Sequence, residues 1–294
     1  MFDRNETLQE ARDRNIRDAL FEDIGQSDWT SRLIPRVTQV CAELRVREAA
    51  VLCGTDWFEG CVQALDPQAV IRWRYAEGQW MTPNTTVCEI QANGQALLTA
   101  ERSAMNFLQL LSAVATSTRR YVDAIAGLSP NPRGCQILDT RKTMPGLRRA
   151  QKYAVSVGGG MNQRLALWDG ILIKENHILA AGGIAQALQA AQALRADLPT
   201  QIEVENLQQL QEALQAGAIS ILLDNFTVDR MLEAVAINRG AALLEASGGI
   251  LLDTLRTIAK TGVDRISIGS LTKDITAVDY SLRVTARSGE RIVG

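Results

Sequence analysis

Two patterns of apolar and polar positions divide the 294-residue chain, and the change comes near residue 130. Leu8, Ala11, Ile16 and Leu20 recur at helical spacing and predict a helix over 7–21. Stretches 37–54, 69–78 and 85–100 alternate or are β-branched, and glycines punctuate them, so they read as strands of a mixed sheet. Residues 56–65 read as a helix capped by Asp56. A long helix is expected over 101–127, ended by Gly127 and the Pro130/Pro132 loop. Beyond it, short apolar strands (136–139, 171–174, 201–205, 220–224, 242–246 and 265–269) alternate with helices expected at 183–198, 207–217, 227–240 and 249–262. Repeated βα units imply parallel strands with right-handed crossovers. No GxGxxG opens the first unit, which favours a barrel over a dinucleotide-binding sheet. The expected division is 1–127 and 128–278, with the barrel starting near 130 and a last strand near 279–286 returning to the N-terminal part.

The strand ends carry the chemistry. Each of the six finishes on polar or small residues: Asp139-Thr140-Arg141-Lys142, Lys174, Glu203 and Glu205, Asp224, Ser247-Gly248-Gly249, Gly269-Ser270. Barrel active sites form on the C-terminal rim of the strands, so these ends predict one shared site. Bases come from the early strands, acids from the middle ones and glycine-rich turns from the late ones. A ligand with an anionic organic part, a metal-bound part and a phosphate fits that order.

Composition narrows the class. At 46% apolar residues the chain can fill a large core. No apolar run approaches the roughly 18–20 residues that span a bilayer. The first 20 residues mix acids and bases without the apolar core of a secretion signal. Five scattered cysteines without a CxxC pair read as free thiols in the cytoplasm. A net charge of -2 argues against binding nucleic acid through bulk charge. Locally, however, residues 140–152 hold five bases and no acid, either a solvated face or an anion site.

Each constellation has an ordinary alternative. The Gly248-Gly249 and Gly269 turns suit a phosphate held by backbone N–H groups, or are simply tight turns. Glu203 and Asp224 suit Mg²⁺, directly or through water, or pair with lysines, and spacing does not exclude Glu205. Arg141 and Arg148 suit bidentate recognition of a carboxylate or phosphate, with Lys142 a point charge. Glu101 and Arg102 read as a local salt bridge at the start of the long helix. In "GILIKENHI" the only histidine, His177, lies past a strand end with no catalytic partner in view, whereas Lys174 stands on the rim.

Taken together, "FEDIG", "ERSAMNFLQLLSAVAT", "DTRKTMPGLRRAQKYAVSVGGGMNQR", "LIKENHI", "QIEVEN", "LLDNF", "LEASGGI" and "SIGSLTKD" resemble the quinolinate phosphoribosyltransferase family over nearly the whole chain. The resemblance implies an α/β protein, an N-terminal α/β sandwich followed by an incomplete α/β barrel. It implies a reaction between quinolinate and phosphoribosyl pyrophosphate (PRPP), with Mg²⁺, that yields nicotinate mononucleotide, pyrophosphate and CO₂ for NAD biosynthesis. It also implies a homodimer in which Arg102 reaches the neighbour's site. Arg102, Arg141, Lys142, Arg164 and Lys174 would surround the dicarboxylate, with Thr140, a further substrate-binding residue, in the same loop as the bases. Glu203 and Asp224 would hold the ribose hydroxyls and the Mg²⁺-pyrophosphate end. Ser247, Gly248, Gly249 and Gly269 would take the 5′-phosphate, and Lys142, Lys174, Glu203 and Asp224 would be the catalytic set. One departure stands out: Gln163 occupies the place where the family usually has histidine. Gln163 can hydrogen-bond a carboxylate but carries no charge, so weaker quinolinate binding is expected. Competing readings are a related transferase for another pyridine carboxylate, a lyase forming a Schiff base on Lys174, and a non-enzymatic phosphosugar- or nucleic-acid-binding module.

Overall fold

The computed structural model describes residues 5–194 and 197–287. It divides into two compact units, one comprising residues up to Ser117, Met144–Gly158 and the segment from Asp274, the other Thr118–Thr143 and Gly159–Lys273.

The first unit opens with α1 (Leu8–Ile24). Its cap is reciprocal: the Thr7 hydroxyl accepts from the Glu10 N–H and the Glu10 carboxylate accepts from the Thr7 N–H. Then come β1 (Gln39–Val46), β2 (Ala50–Val51), α2 (Thr55–Leu65), β3 (Val70–Trp73), β4 (Trp80–Met81) and β5 (Thr86–Asn93). Along β1, Val40, Ala42, Leu44 and Val46 are buried on alternate positions, as a sheet with one face on a core requires. Asp56 does not cap α2. The Glu77 carboxylate accepts from Gly54 N and Thr55 N instead, and Asp56, one position into the helix, pairs with Arg12. The long helix α3 (Gly94–Ile125) begins seven residues before the expected Glu101, because the Asn93 side chain accepts from Gln95 N and Ala96 N and ends β5 there. Glu101 and Arg102 therefore lie inside the helix. They form no ion pair, since neighbouring helical residues point about 100° apart.

Further along lie β6 (Gln136–Leu138), α4 (Arg148–Val157), β7 (Ile171–Ile173), α5 (Glu175–Ala181), α6 (Ile184–Leu194), β8 (Thr200–Val204) and α7 (Leu207–Gln215). They are followed by β9 (Ser220–Asp224), α8 (Val228–Asn238), β10 (Leu243–Ser247), α9 (Leu252–Ala259), β11 (Arg265–Ser267), α10 (Ser270–Lys273) and β12 (Tyr280–Arg287). Three helices were not expected: α4, α5 and the four-residue α10. The amphipathic α4 falls in the basic stretch and groups with the first unit, where Ala150, Ala154 and Val155 enter the core. The short α5 contains His177, which therefore sits in a helical first turn rather than a loop. Part of the end expected for α6, Arg195 and Ala196, lies outside the described residues. β12 runs antiparallel to β1, and the sheet order is β12-β1-β5-β3.

In the second unit the strands form a parallel sheet in the order β6-β11-β10-β9-β8-β7. The two end strands, β6 and β7, do not pair with each other among the described residues, so the barrel is incomplete. Register separates its two faces. Ile173, Ile202 and Ile221 align, as do Val204, Leu223 and Ala246, and all six join Ile137, Leu244 and Ile266 in the buried core beneath the helices. The intervening positions point the other way. On that face stand Gln201, Glu203, Asp224, Glu245 and Ser247, with Lys174 continuing β7 in extended backbone.

Candidate active site

Alternation and register thus bring Lys174, Glu203, Asp224 and Ser247 to one face of the sheet, at its C-terminal end. Lys174 Nζ donates to Glu203 Oε2 at 2.9 Å, joining the ends of β7 and β8. The pair is half wet: the Lys174 side chain is 45% exposed and the Glu203 side chain 11%. Asp224 and Ser247 align across β9 and β10. The carboxamide of Asn225 donates to Asp224 Oδ2 at 2.9 Å. Glu205 is exposed, and its N–H is held by the Gln209 side chain.

Two arginines face each other electrostatically. Burial and then the charge of Arg141 depress the Arg164 pKa from its ordinary value. Among the described residues the buried Nε of Arg141 has no hydrogen-bond partner. Two guanidiniums that feel each other's charge suit an anionic ligand. Arg164 is held by its own contacts, Nη1 to the Gly170 carbonyl at 3.0 Å and N–H to the Gln163 Oε1 at 2.6 Å. Thr140 Oγ1 accepts from Lys142 N, and the Lys142 carbonyl accepts from Thr272 Oγ1. Gly269 lies against both: a Cβ there would come 3.1 Å from Lys142 Cδ and 3.7 Å from Thr140 Oγ1.

The turn after β10 uses two consecutive glycines with positive φ, Gly248 at +106° and Gly249 at +58°. A Cβ on Gly248 would overlap the Asn225 carboxamide, whereas one on Gly249 would meet nothing within 4 Å. Such a turn leaves N–H groups accessible to an anion.

Arg102, exposed on α3, and Arg148, the first residue of α4, belong to the first unit. His177 is structural. Its Nδ1 accepts from the Lys174 N–H at 3.0 Å and closes the first turn of α5. No group of three or more His, Cys, Asp or Glu side chains is gathered for a metal ion among the described residues. Two carboxylates, Glu203 and Asp224, on adjacent strand ends suit Mg²⁺ that arrives with a phosphorylated substrate and keeps much of its water.

Sequence reasoning passed over two residues of this face, Gln201 and Glu245, which are 7% and 1% exposed. The signal was present. Glu245 is the one acid in β10, and Gln201 shares the alternating polar positions of β8 with Glu203, in a parallel sheet where burial is expected on both faces.

Two family models match the chain: the quinolinate phosphoribosyl transferase N-terminal domain over residues 28–112 and the C-terminal domain over 114–283. A nicotinate-nucleotide pyrophosphorylase [carboxylating] of Mycobacterium leprae is 40% identical over 280 residues, covering 92% of this chain and 96% of its own. A probable enzyme of the same name from Bacillus subtilis is 37% identical over 265 residues, covering 90% of each chain. The solved structure of the nicotinate-nucleotide pyrophosphorylase from Francisella tularensis superposes with a TM-score of 0.90 at 41% identity, covering 96% of this chain and all of that one. With both domain models matched in order and the strand ends so arranged, the chain belongs to the quinolinate phosphoribosyltransferase family.

Proposed function

We propose that this protein transfers the phosphoribosyl group of PRPP to quinolinate, with loss of CO₂, in NAD biosynthesis. The observation that carries the reading is the sorting of charge along the strand ends: Lys174 after β7, Glu203 on β8, Asp224 on β9 and the Gly248-Gly249 turn after β10, with the electrostatically coupled Arg141 and Arg164 adding further positive charge. A dianionic pyridine, a ribose with its Mg²⁺-pyrophosphate, and a 5′-phosphate need those groups in that order.

In this reading PRPP enters as its Mg²⁺ complex, near Glu203 and Asp224, which also hold the ribose hydroxyls. The C1–O bond to pyrophosphate breaks as the pyridine nitrogen forms its bond to C1. The carboxyl group beside that nitrogen then leaves as CO₂, and the electron pair left on the ring carbon takes up a proton. Arg141, Arg164, Lys142 and Lys174 hold the two carboxylates before reaction, and a preorganised site of this kind stabilises charge without reorganising. The Lys174–Glu203 ion pair is the opposite of the isolated, desolvated amine that a Schiff-base lysine requires, which weighs against a lyase.

The homodimer, with Arg102 given to the neighbour's site, is supported by the exposure of Arg102 and by Phe21, Trp29, Leu33 and Val37, large apolar side chains exposed on the same unit. A cytoplasmic setting is supported by five free thiols. Among the described residues no helix is long and apolar enough to cross a membrane. The test is pyrophosphate release with Mg²⁺ and PRPP, comparing quinolinate with nicotinate, with CO₂ trapped in parallel. One CO₂ per pyrophosphate with quinolinate is expected. Preference for nicotinate, or pyrophosphate without CO₂, overturns the substrate assignment.

A further inference from the structure

Beneath the rim, three hydrogen bonds run in one direction. Arg164 N–H donates to Gln163 Oε1 at 2.6 Å, Gln163 Nε2 donates to Gln201 Oε1 at 2.7 Å, and Gln201 Nε2 donates to Glu245 Oε2 at 2.9 Å. The last link spans β9, since Gln201 is on β8 and Glu245 on β10. A carboxamide can present either end to a partner, but an ionised carboxylate only accepts and a backbone N–H only donates. The two ends of the chain therefore fix both carboxamides. Glu245 draws the NH₂ of Gln201 toward itself, which turns the Gln201 oxygen to Gln163. That in turn aims the Gln163 oxygen at the Arg164 N–H. The main chain of Gln163 is tied down separately, through its N–H to Asp139 Oδ1 at 2.9 Å.

We propose that Glu245 and Gln201 are positioning residues which, through Gln163, hold the turn that presents Arg164 to the substrate carboxylates. The proposal rests on the phosphoribosyltransferase reading and deepens it. It gives Gln163 a role other than direct contact with quinolinate: the side chain reads the buried carboxylate and passes its polarity to the backbone of an anion-binding arginine. The same role accounts for the almost complete burial of Glu245.

Glu245→Gln tests it, because it keeps shape and removes the polarity. With an amide at 245 both directions of the chain become accessible, and the reversed one sets the Gln163 NH₂ against the Arg164 N–H. Losing one such bond corresponds to about tenfold in binding. The expected result is a KM for quinolinate raised about tenfold, with kcat and the KM for PRPP within about twofold of wild type. The swap Gln201→Glu/Glu245→Gln moves the acceptor one step along: the carboxylate at 201 then accepts from both neighbouring carboxamides and Gln163 keeps its direction. Its KM for quinolinate should return to within about threefold of wild type, a rescue that lost packing would not give. Should Glu245→Gln alone fail to fold, the swap carries the test. In a Gln163→Ala background, where the relay is already cut, adding Glu245→Gln should leave KM unchanged. Equal effects on quinolinate and PRPP, an unchanged KM in Glu245→Gln, or a swap no better than the single variant overturns the proposal. Wild type that turns over quinolinate keeps such an outcome separate from a failure of the assigned reaction.

Discussion

Gly248 and Gly249 are adjacent and chemically identical, yet alanine should act very differently at the two. Gly249 has φ +58°, and its Cβ position is open. Alanine there bears only the cost of the left-handed region, about 1–2 kcal/mol. Gly248 has φ +106°, outside that well, and its Cβ would lie 2.8 Å from Asn225 Cγ and 3.1 Å from Asn225 N. Asn225 itself has a positive φ, and its N–H is bonded to the Ser247 carbonyl at 2.9 Å, so its backbone has little room to yield. Its side chain must swing away, which breaks the hydrogen bond to Asp224 and adds about 1 kcal/mol. Gly248→Ala should therefore lose about 2–3 kcal/mol of stability. At about 2–4 °C per kcal/mol for domains of 150–250 residues, Tm falls by about 5–10 °C. Because both the phosphate turn and Asp224 shift, the KM for PRPP should rise at least tenfold, about 1.4 kcal/mol. In Gly249→Ala the fall in Tm should be smaller, with PRPP binding weakened less. Thermal unfolding together with pyrophosphate release at varied PRPP reads both quantities. A Gly248→Ala enzyme with wild-type KM for PRPP would refute the assignment of this turn to the phosphoribosyl group.

Gly269→Ala puts a methyl 3.1 Å from Lys142 Cδ; the lysine must move by a few tenths of an ångström, and quinolinate KM should rise about threefold with stability little changed, as read by steady-state kinetics and thermal unfolding. His177→Ala removes the acceptor for the Lys174 N–H, a cap worth about 1 kcal/mol, so Tm should drop by a few degrees while kcat at saturating substrates stays within about threefold; a loss of several hundredfold would show that the histidine takes part in the chemistry.

The barrel was legible because its strands are short and carry alternating branched residues, and helices with their own stop signals follow β8, β9 and β10, so that local pattern and tertiary role agree there. Where they disagree, pattern misled. "GQALLTA" continues the apolar run of β5, and only the Asn93 side chain, bonding backward onto the helix start, separates strand from helix. Glu77 replaces Asp56 as the cap of α2 from 21 positions beyond it, and no local reading supplies a partner at that distance. Lys174, Glu203 and Asp224 were legible for a different reason. Charge at the end of a buried strand is costly unless something uses it. Gln201 and Glu245 obey the same argument inside the strands, but a polar letter there, Glu245 after two leucines or Gln201 two places before Glu203, says little until register shows which residues it joins.

That register also accounts for the change in chemistry with depth. At the rim water reaches the groups: Lys174, with a side chain 45% exposed, pairs ionically with Glu203, and solvent lowers the cost of leaving charge there. Glu245, on the same face and level with Leu222 and Glu203 in register, is more deeply buried, only 1% exposed. An ion pair at that depth has to recover the desolvation of two charges. Carboxamides against a single carboxylate desolvate one charge and still fix direction, because a carboxylate cannot donate. A wholly apolar layer would be cheaper still, as barrel interiors filled with Val, Ile and Leu demonstrate. It would carry no polarity from β10 to the turn that holds Arg164. Gln201 and Glu245 are thus a stability cost accepted inside the barrel so that a neutral residue, Gln163, can keep an arginine aimed.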